Sequence, residues 1–180
     1  ILAATGKRPR PLNVPGEKEL VGRGVTYCAI CDGPVFTGQR VAIIGGGNSA
    51  AEAAIDMVKI AEHVDMVSVT PLTCDQVLGD KMKPASNLTQ YLEYEVLEIH
   101  GDGFVDGITI RDLKNKDTRK LDVSGVFIEI GLLPNSNAFG NLVELNDLGE
   151  IVINAANETS IPGFFAAGDV TNITEKQIVV

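Results

Sequence analysis

The hydrophobic pattern changes period along the chain, and the changes mark its elements. Val41-Ala42-Ile43-Ile44 is an unbroken apolar run, the pattern of a parallel strand covered on both faces. Gly45-Gly46-Gly47-Asn48 follows, and then Ala50, Ala53, Ala54, Met57, Val58 and Ala61 recur at three- and four-residue intervals. That spacing predicts an amphipathic helix from Ser49 to about Ala61. Val64–Val69 returns as a strand and closes a βαβ unit. Asp75–Lys83 and Ala85–Tyr91 predict two short helices. Tyr94–His100, Val105–Leu113 and Thr118–Val123 alternate, separated by Gly101-Asp102-Gly103 and Lys114-Asn115-Lys116-Asp117. Those separators read as hairpin turns. The pattern therefore predicts a small antiparallel three-stranded meander inserted in a doubly wound parallel α/β fold. Gly125–Ile130, Ile151–Ile153 and Phe164–Ala167 are further expected strands.

At the start, Ile1–Thr5 reads as a strand ending at Gly6, and Pro9, Pro11 and Pro15 predict an extended connector. Gly33-Pro34 marks a break. The opening residues read as a strand already in progress, so a piece of a longer protein is expected. Strand, Gly, two residues, Pro occurs at Ile1–Pro9 and again at Phe127–Pro134. Two nested nucleotide-binding domains would each supply such a strand end; so would ordinary turn punctuation, and both explanations stay open here.

Charge and cysteine usage narrow the class. A net charge of -9 argues against a nucleic-acid partner, which needs a concentrated basic surface. No apolar run reaches the roughly 18 residues of a membrane span. Three cysteines are too few and too odd for a secreted disulfide framework, and suit a cytoplasmic protein with a working thiol pair.

Two motifs carry chemistry. Gly45-x-Gly47-x-x-Ala50 lies between an apolar strand and a helix. Gly45 permits the turn, Gly47 lets a pyrophosphate approach the backbone, and Ala50 packs helix on strand. The helix start then presents N–H groups to the phosphates. The second strand ends in Ser68-Val69-Thr70, with neither a carboxylate for a ribose hydroxyl nor an arginine pair for a 2′-phosphate, so the choice between NADH and NADPH is left open. The other motif is Cys28-x-x-Cys31. A zinc site lacks a second Cys/His pair, since His63 and His100 stand apart, and an iron–sulfur cluster lacks two thiolates. Neighbouring Gly and Pro argue against two buried structural thiols. A redox dithiol remains, forming a reversible disulfide, with Asp32 placed to exchange a proton. Asp32 could equally be a helix cap. Cys74 reads as a small packed hydrophobe or a surface thiol.

These motifs together resemble the thioredoxin reductase-like flavoprotein disulfide reductases. The similarity is greatest to the flavoprotein component of alkyl hydroperoxide reductases. The matching stretches include Gly24–Cys28, Cys31–Pro34, Val41–Asp56, Asp75–Leu78, Ile130–Asn135 and Phe165–Val170. The resemblance implies a Rossmann-like FAD/NAD(P)-binding fold. Residues 12–134 would bind NADH or NADPH and carry the cysteine pair; residues 1–11 and 135–180 would be parts of an FAD-binding domain. It implies nucleotide contacts at Gly45, Gly46, Gly47, Asn48, Ser49, Ala50, Ser68 and Gly131, and FAD contacts at Gly168, Asp169 and Gln177. It further implies a homodimeric enzyme whose partner is a thioredoxin-like or peroxiredoxin-system disulfide protein. The family's first FAD-binding glycine motif has no counterpart in this sequence, so the segment alone is expected to be inactive. A nucleotide-binding module without turnover is the alternative; a ferredoxin–NADP-type reductase is disfavoured by the cysteine pair.

Overall fold

The computed structural model describes residues 1–174 and 176. The chain forms two compact units, one of Ile1–Arg10 with Gly131–Val180 and one of Pro11–Ile130. The first opens with strands β1 (Leu2–Ala3) and β2 (Lys7–Pro9). In chain order the second unit then contributes α1 (Glu17–Leu20), β3 (Val25–Thr26), α2 (Ala29–Asp32), a 3-10 turn at Gly33–Phe36, β4 (Arg40–Ile44), α3 (Asn48–Met57), β5 (His63–Ser68) and α4 (Gln76–Met82). It continues with β6 (Leu88–Leu92), β7 (Tyr94–His100), β8 (Gly107–Asp112), β9 (Thr118–Leu121) and β10 (Gly125–Ile128). The first unit resumes with β11 (Leu132–Pro134), β12 (Phe165–Ala166) and a 3-10 turn at Gly168–Val170.

Five parallel strands in the order β3-β10-β4-β5-β6 form the sheet of the second unit. The apolar run of β4 divides between its faces as a strand must. Val41 and Ile43 pack with Ala50, Ala54 and Met57 of α3, while Ala42 and Ile44 pack on the other side with Ile99, Ile108, Ile110 and Leu121. That second face is covered by the antiparallel sheet β7-β8-β9. The meander is thus the third layer of the unit, standing where a doubly wound fold usually has helices.

Three expectations change. Residues 85–91 are not helical: Leu88–Leu92 is an edge strand, paired in parallel with β5 from Val64↔Leu88 to Ser68↔Leu92. Pro84 stops a helix, and Leu-Thr-Gln-Tyr-Leu has the alternating, aromatic-bearing character of a strand. The stretch around Pro9 is not only a connector. Lys7–Pro9 pairs antiparallel with Leu132–Pro134 within the first unit. Around Ile151 there are only single bridges, to Leu145 and Thr171, instead of a strand. In the same unit β1 pairs parallel with β12, and Ala3, Ile151, Phe164, Ala166 and Val170 form its core.

Candidate functional site

The cysteine pair sits where β3 turns into α2. Cys28 and Cys31 are joined as a disulfide, with Cα atoms 5.3 Å apart, so neither is a free thiolate for a metal. Cys28 is the N-cap of α2, and its Sγ accepts the Cys31 N–H at 3.2 Å. The two residues differ in access: Cys28 is half-buried, whereas Cys31 is exposed beside Ile30, 85% exposed. The Thr26 hydroxyl donates to the Asp32 carboxylate and accepts the Cys28 N–H. Asp32, exposed one residue past the pair, is thereby tied to the start of the same turn.

Beside Cys28 lies an open depression of about 410 Å³, lined by Tyr27 and Cys28, by Ser49, Glu52 and Asp56 of α3, and by Glu129. Glu129 follows β10 and is half-buried. Burial pushes its carboxyl above the usual carboxylate range; the Ala29 N–H opposes this and the Glu52 carboxylate adds to it. Tyr27 is pushed up to about 12 by burial and by its hydrogen bond to Glu17, which its hydroxyl donates at 2.7 Å. Sequence reasoning missed Glu129 and Glu52. Their only signal was a carboxylate at a strand end and another in the first helical turn after the glycines. A second depression, of about 490 Å³, is lined by Thr26, Asp32, Val35, Phe36, Phe104 and Val105 among others.

The glycine turn joins the C-terminal end of β4 to α3. Gly45 has φ 141°, and a Cβ there would lie 2.3 Å from the Glu129 carbonyl oxygen, so the position requires glycine. A Cβ on Gly46 would lie 2.4 Å from Ser68 Oγ. Gly47, in contrast, faces open space apart from Thr73 Oγ1 at 3.8 Å, and no side chain caps the ten-residue helix it starts. An approachable backbone at an uncapped helix start fits a dinucleotide pyrophosphate. Ala50 is fully buried between helix and sheet, and Ser49 is exposed.

A loop after β5 docks on this turn. The Gly46 carbonyl accepts the N–H groups of Thr73 at 2.8 Å and Cys74 at 3.1 Å. Asn48 Nδ2 donates to Asp75 Oδ2 at 3.0 Å, and Asn48 Oδ1 accepts the Asp75 N–H at 2.8 Å. Ser68 is buried beneath Gly46, and its Oγ accepts the Thr70 N–H at 3.3 Å. Thr70, not Ser68, stands exposed at this rim. Of the remaining sequence-derived residues, Gly131 belongs to the first unit and has φ 93°. Gly168 and Asp169 begin the 3-10 turn after β12, and both are half-buried. Gln177 lies outside the described residues. No described helix is long and apolar enough to cross a membrane.

Comparison with known proteins adds to this geometry. The family model described as pyridine nucleotide-disulphide oxidoreductase matches residues 1–179. The F subunit of alkyl hydroperoxide reductase from Escherichia coli (strain K12) is 47% identical over 182 residues, covering 100% of this chain and 35% of that protein. The protein of the same name from Staphylococcus aureus (strain NCTC 8325 / PS 47) is 44% identical, over 100% of this chain and 36% of its own length. The chain thus spans about a third of these curated relatives. Among solved structures, thioredoxin reductase of Lactococcus lactis superposes with TM-score 0.89 at 31% identity, over 99% of this chain and 60% of its own. That of T. acidophilum gives TM-score 0.88 at 37% identity, over 98% and 59%.

Proposed function

The chain belongs to the pyridine nucleotide-disulphide oxidoreductase family, and from that premise we propose that in the whole protein electrons pass from NADH or NADPH through FAD to the Cys28–Cys31 disulfide, and on to a disulfide of a partner protein. The observation that carries this reading is the Cys28–Cys31 disulfide at an accessible turn, in the same unit as an open strand–glycine–helix turn. Two electrons and two protons convert the disulfide to a dithiol. Cys31, the more exposed residue of the pair, then bonds to one partner sulfur and expels the other as a thiolate. Cys28 attacks Cys31 in that mixed disulfide, releasing the reduced partner and re-forming the pair. Exposed Ile30 and Val35 offer apolar surface for a partner beside Cys31. The names of the relatives favour a peroxiredoxin-system or thioredoxin-like partner.

The unit Pro11–Ile130 is the nucleotide-binding domain in this reading, with Gly45, Gly46, Gly47, Asn48, Ser49 and Ala50 around the pyrophosphate and Thr70 at the ribose rim. The other unit contributes to FAD binding through Gly168 and Asp169, and Gly131 is a further nucleotide contact. FAD supplies the step from a hydride donor to a disulfide; the protein's own groups position the sulfurs and supply protons, Asp32 foremost. The whole protein is a cytoplasmic homodimer. To test the reading, the whole protein is alkylated before and after reduction and its peptides are weighed, and flavin bleaching is followed on addition of NADH or NADPH. A two-thiol difference confined to the Cys28–Cys31 peptide, with bleaching by either nucleotide, is expected. Stoichiometric zinc on these cysteines, or a flavin indifferent to both nucleotides, would overturn it.

A further inference from the structure

Glu129 is in an environment that a purely structural carboxylate avoids. It is half-buried, it lines the depression beside Cys28 together with Glu52 and Asp56, and it forms no ion pair among the described residues. Three carboxyl groups line this space, and among the described residues only Asp56 is ion-paired, with Lys59 Nζ at 2.7 Å. Partial burial and the nearby Glu52 carboxylate both disfavour the ionised form of Glu129. Its backbone is fixed: the Glu129 N–H donates to the Ile44 carbonyl at 2.8 Å, and its own carbonyl closes over Gly45. The Ala29 N–H, the amide of the residue directly after Cys28, favours the ionised carboxylate and partly offsets the effect of burial.

We propose that Glu129 is a positioning residue for the redox pair: through its charge, in the depression it shares with Cys28, it sets how readily Cys28 carries a thiolate. This rests on the reading of Cys28–Cys31 as a working pair. When a dithiol reductant attacks Cys31, a bond forms from the reductant sulfur to Cys31, the Cys28–Cys31 bond breaks, and Cys28 leaves with the electron pair. The second reductant thiol then displaces Cys31 and is itself oxidised to a disulfide. A thiolate on Cys28 beside an ionised Glu129 places two like charges in one depression, so the electron pair arriving on Cys28 favours uptake of a proton from solvent by Glu129. That proton returns to solvent when Cys28 attacks Cys31 in a mixed disulfide and the S–S bond re-forms. Glu52 faces the same space from α3 and raises the cost of a further negative charge, whereas Asp56 beside it is paired with Lys59 Nζ at 2.7 Å. Tyr27 takes no part, because its hydroxyl is bound to Glu17. Asp32 is held instead by Thr26 and lines the other depression.

The test is the rate at which Cys28 reacts with iodoacetamide in the reduced whole protein, read peptide by peptide from about pH 5 to about pH 9. Replacing Glu129→Gln keeps the shape and removes the charge. Around neutral pH the variant's Cys28 should react roughly three- to tenfold faster than wild type at equal pH, as expected for removing one nearby like charge. The difference should shrink as the pH falls, since burial favours the protonated Glu129 carboxyl. Glu129→Asp, which restores the charge, should return the rate toward wild type. The half-buried Cys74 serves as a folding control, its rate unchanged across the series. A purely structural role would give an offset independent of pH, and that result, or superimposable profiles, would overturn the proposal. Should the Gln variant unfold, Glu129→Ala is read in its place, with the same acceleration at neutral pH expected and superimposable profiles overturning the proposal. Failure of Cys28 and Cys31 to form a reversible disulfide would strike at the proposed function instead, since Cys28 reactivity remains readable without it.

Discussion

Glu150 shows how a single carboxylate can organise a unit through its charge. It is 5% exposed, and it accepts hydrogen bonds from Lys7 Nζ at 2.8 Å and Asn146 Nδ2 at 2.8 Å, with Lys176 Nζ at 3.1 Å. Lys7 comes from β2, while Asn146 and Lys176 belong to the same segment as Glu150, so one side chain links the two sequence segments of its unit. Burial alone would push its carboxyl up, but these donors outweigh burial and hold it down at about 2. An unfolded glutamate titrates at about 4.3, so the folded state gains from the ionised form. That stabilisation is fully present above about pH 4.3 and is lost as pH falls toward about 2. Glu150→Gln should therefore lower the denaturation midpoint at neutral pH, and the gap from wild type should close as the pH approaches 2. Urea titrations at a series of pH values measure this; a gap that stays constant with pH would show that the charge is irrelevant. Neither Glu150 nor Glu129 was legible in the sequence, because what distinguishes each from a surface glutamate is the arrival of distant groups around it. The cysteine pair and the glycine turn were legible, since their spacing is local and their chemistry follows from residue type.

At the level of elements, legibility followed the same division between local and remote causes. The strand Arg40–Ile44, the helix after it and the three strands of the meander each complete an apolar pattern within a short window. Leu88–Leu92 does not: its partly buried edge position is set by pairing with β5, and its leucines suit a helix as well. Lys7–Pro9 is a strand only because Leu132–Pro134 meets it; nothing within three residues can announce that. The meander has an energetic role that its sequence alone does not reveal. Ile108 and Ile110 are fully buried against Ala42, Ile44, Val126 and Ile128, so the sheet that carries the glycine turn depends on them for its second face. Ile108→Ala should cost about 3 kcal/mol of stability, from lost burial plus the cavity left behind. Chemical denaturation at constant m-value reads the loss. A cost below about 1 kcal/mol would mean that the layer collapses to fill the gap or was never tightly packed.

At the scale of the whole molecule, the chain crosses between its two units only twice, between Arg10 and Pro11 and between Ile130 and Gly131. Each unit has its own core. Both apolar clusters that sandwich the parallel sheet draw every member from residues 11–130, and the third draws every member from the other unit. The Cys28–Cys31 disulfide, the depression beside it and the open glycine turn are likewise all within 11–130. A continuous segment with a self-contained core is the condition for independent folding. Residues 11–130 expressed alone should therefore unfold in one cooperative transition and keep the Cys28–Cys31 disulfide. They should also bind a nicotinamide nucleotide in the absence of flavin. Binding to the folded state alone raises stability by mass action, by about 2.7 kcal/mol at a ligand concentration a hundredfold above Kd. Thermal melts followed by circular dichroism, with increasing NADH or NADPH, test both parts together. A broad, dye-binding transition would show that the core needs the other unit; a sharp transition that neither nucleotide moves would place the binding determinants outside the glycine turn.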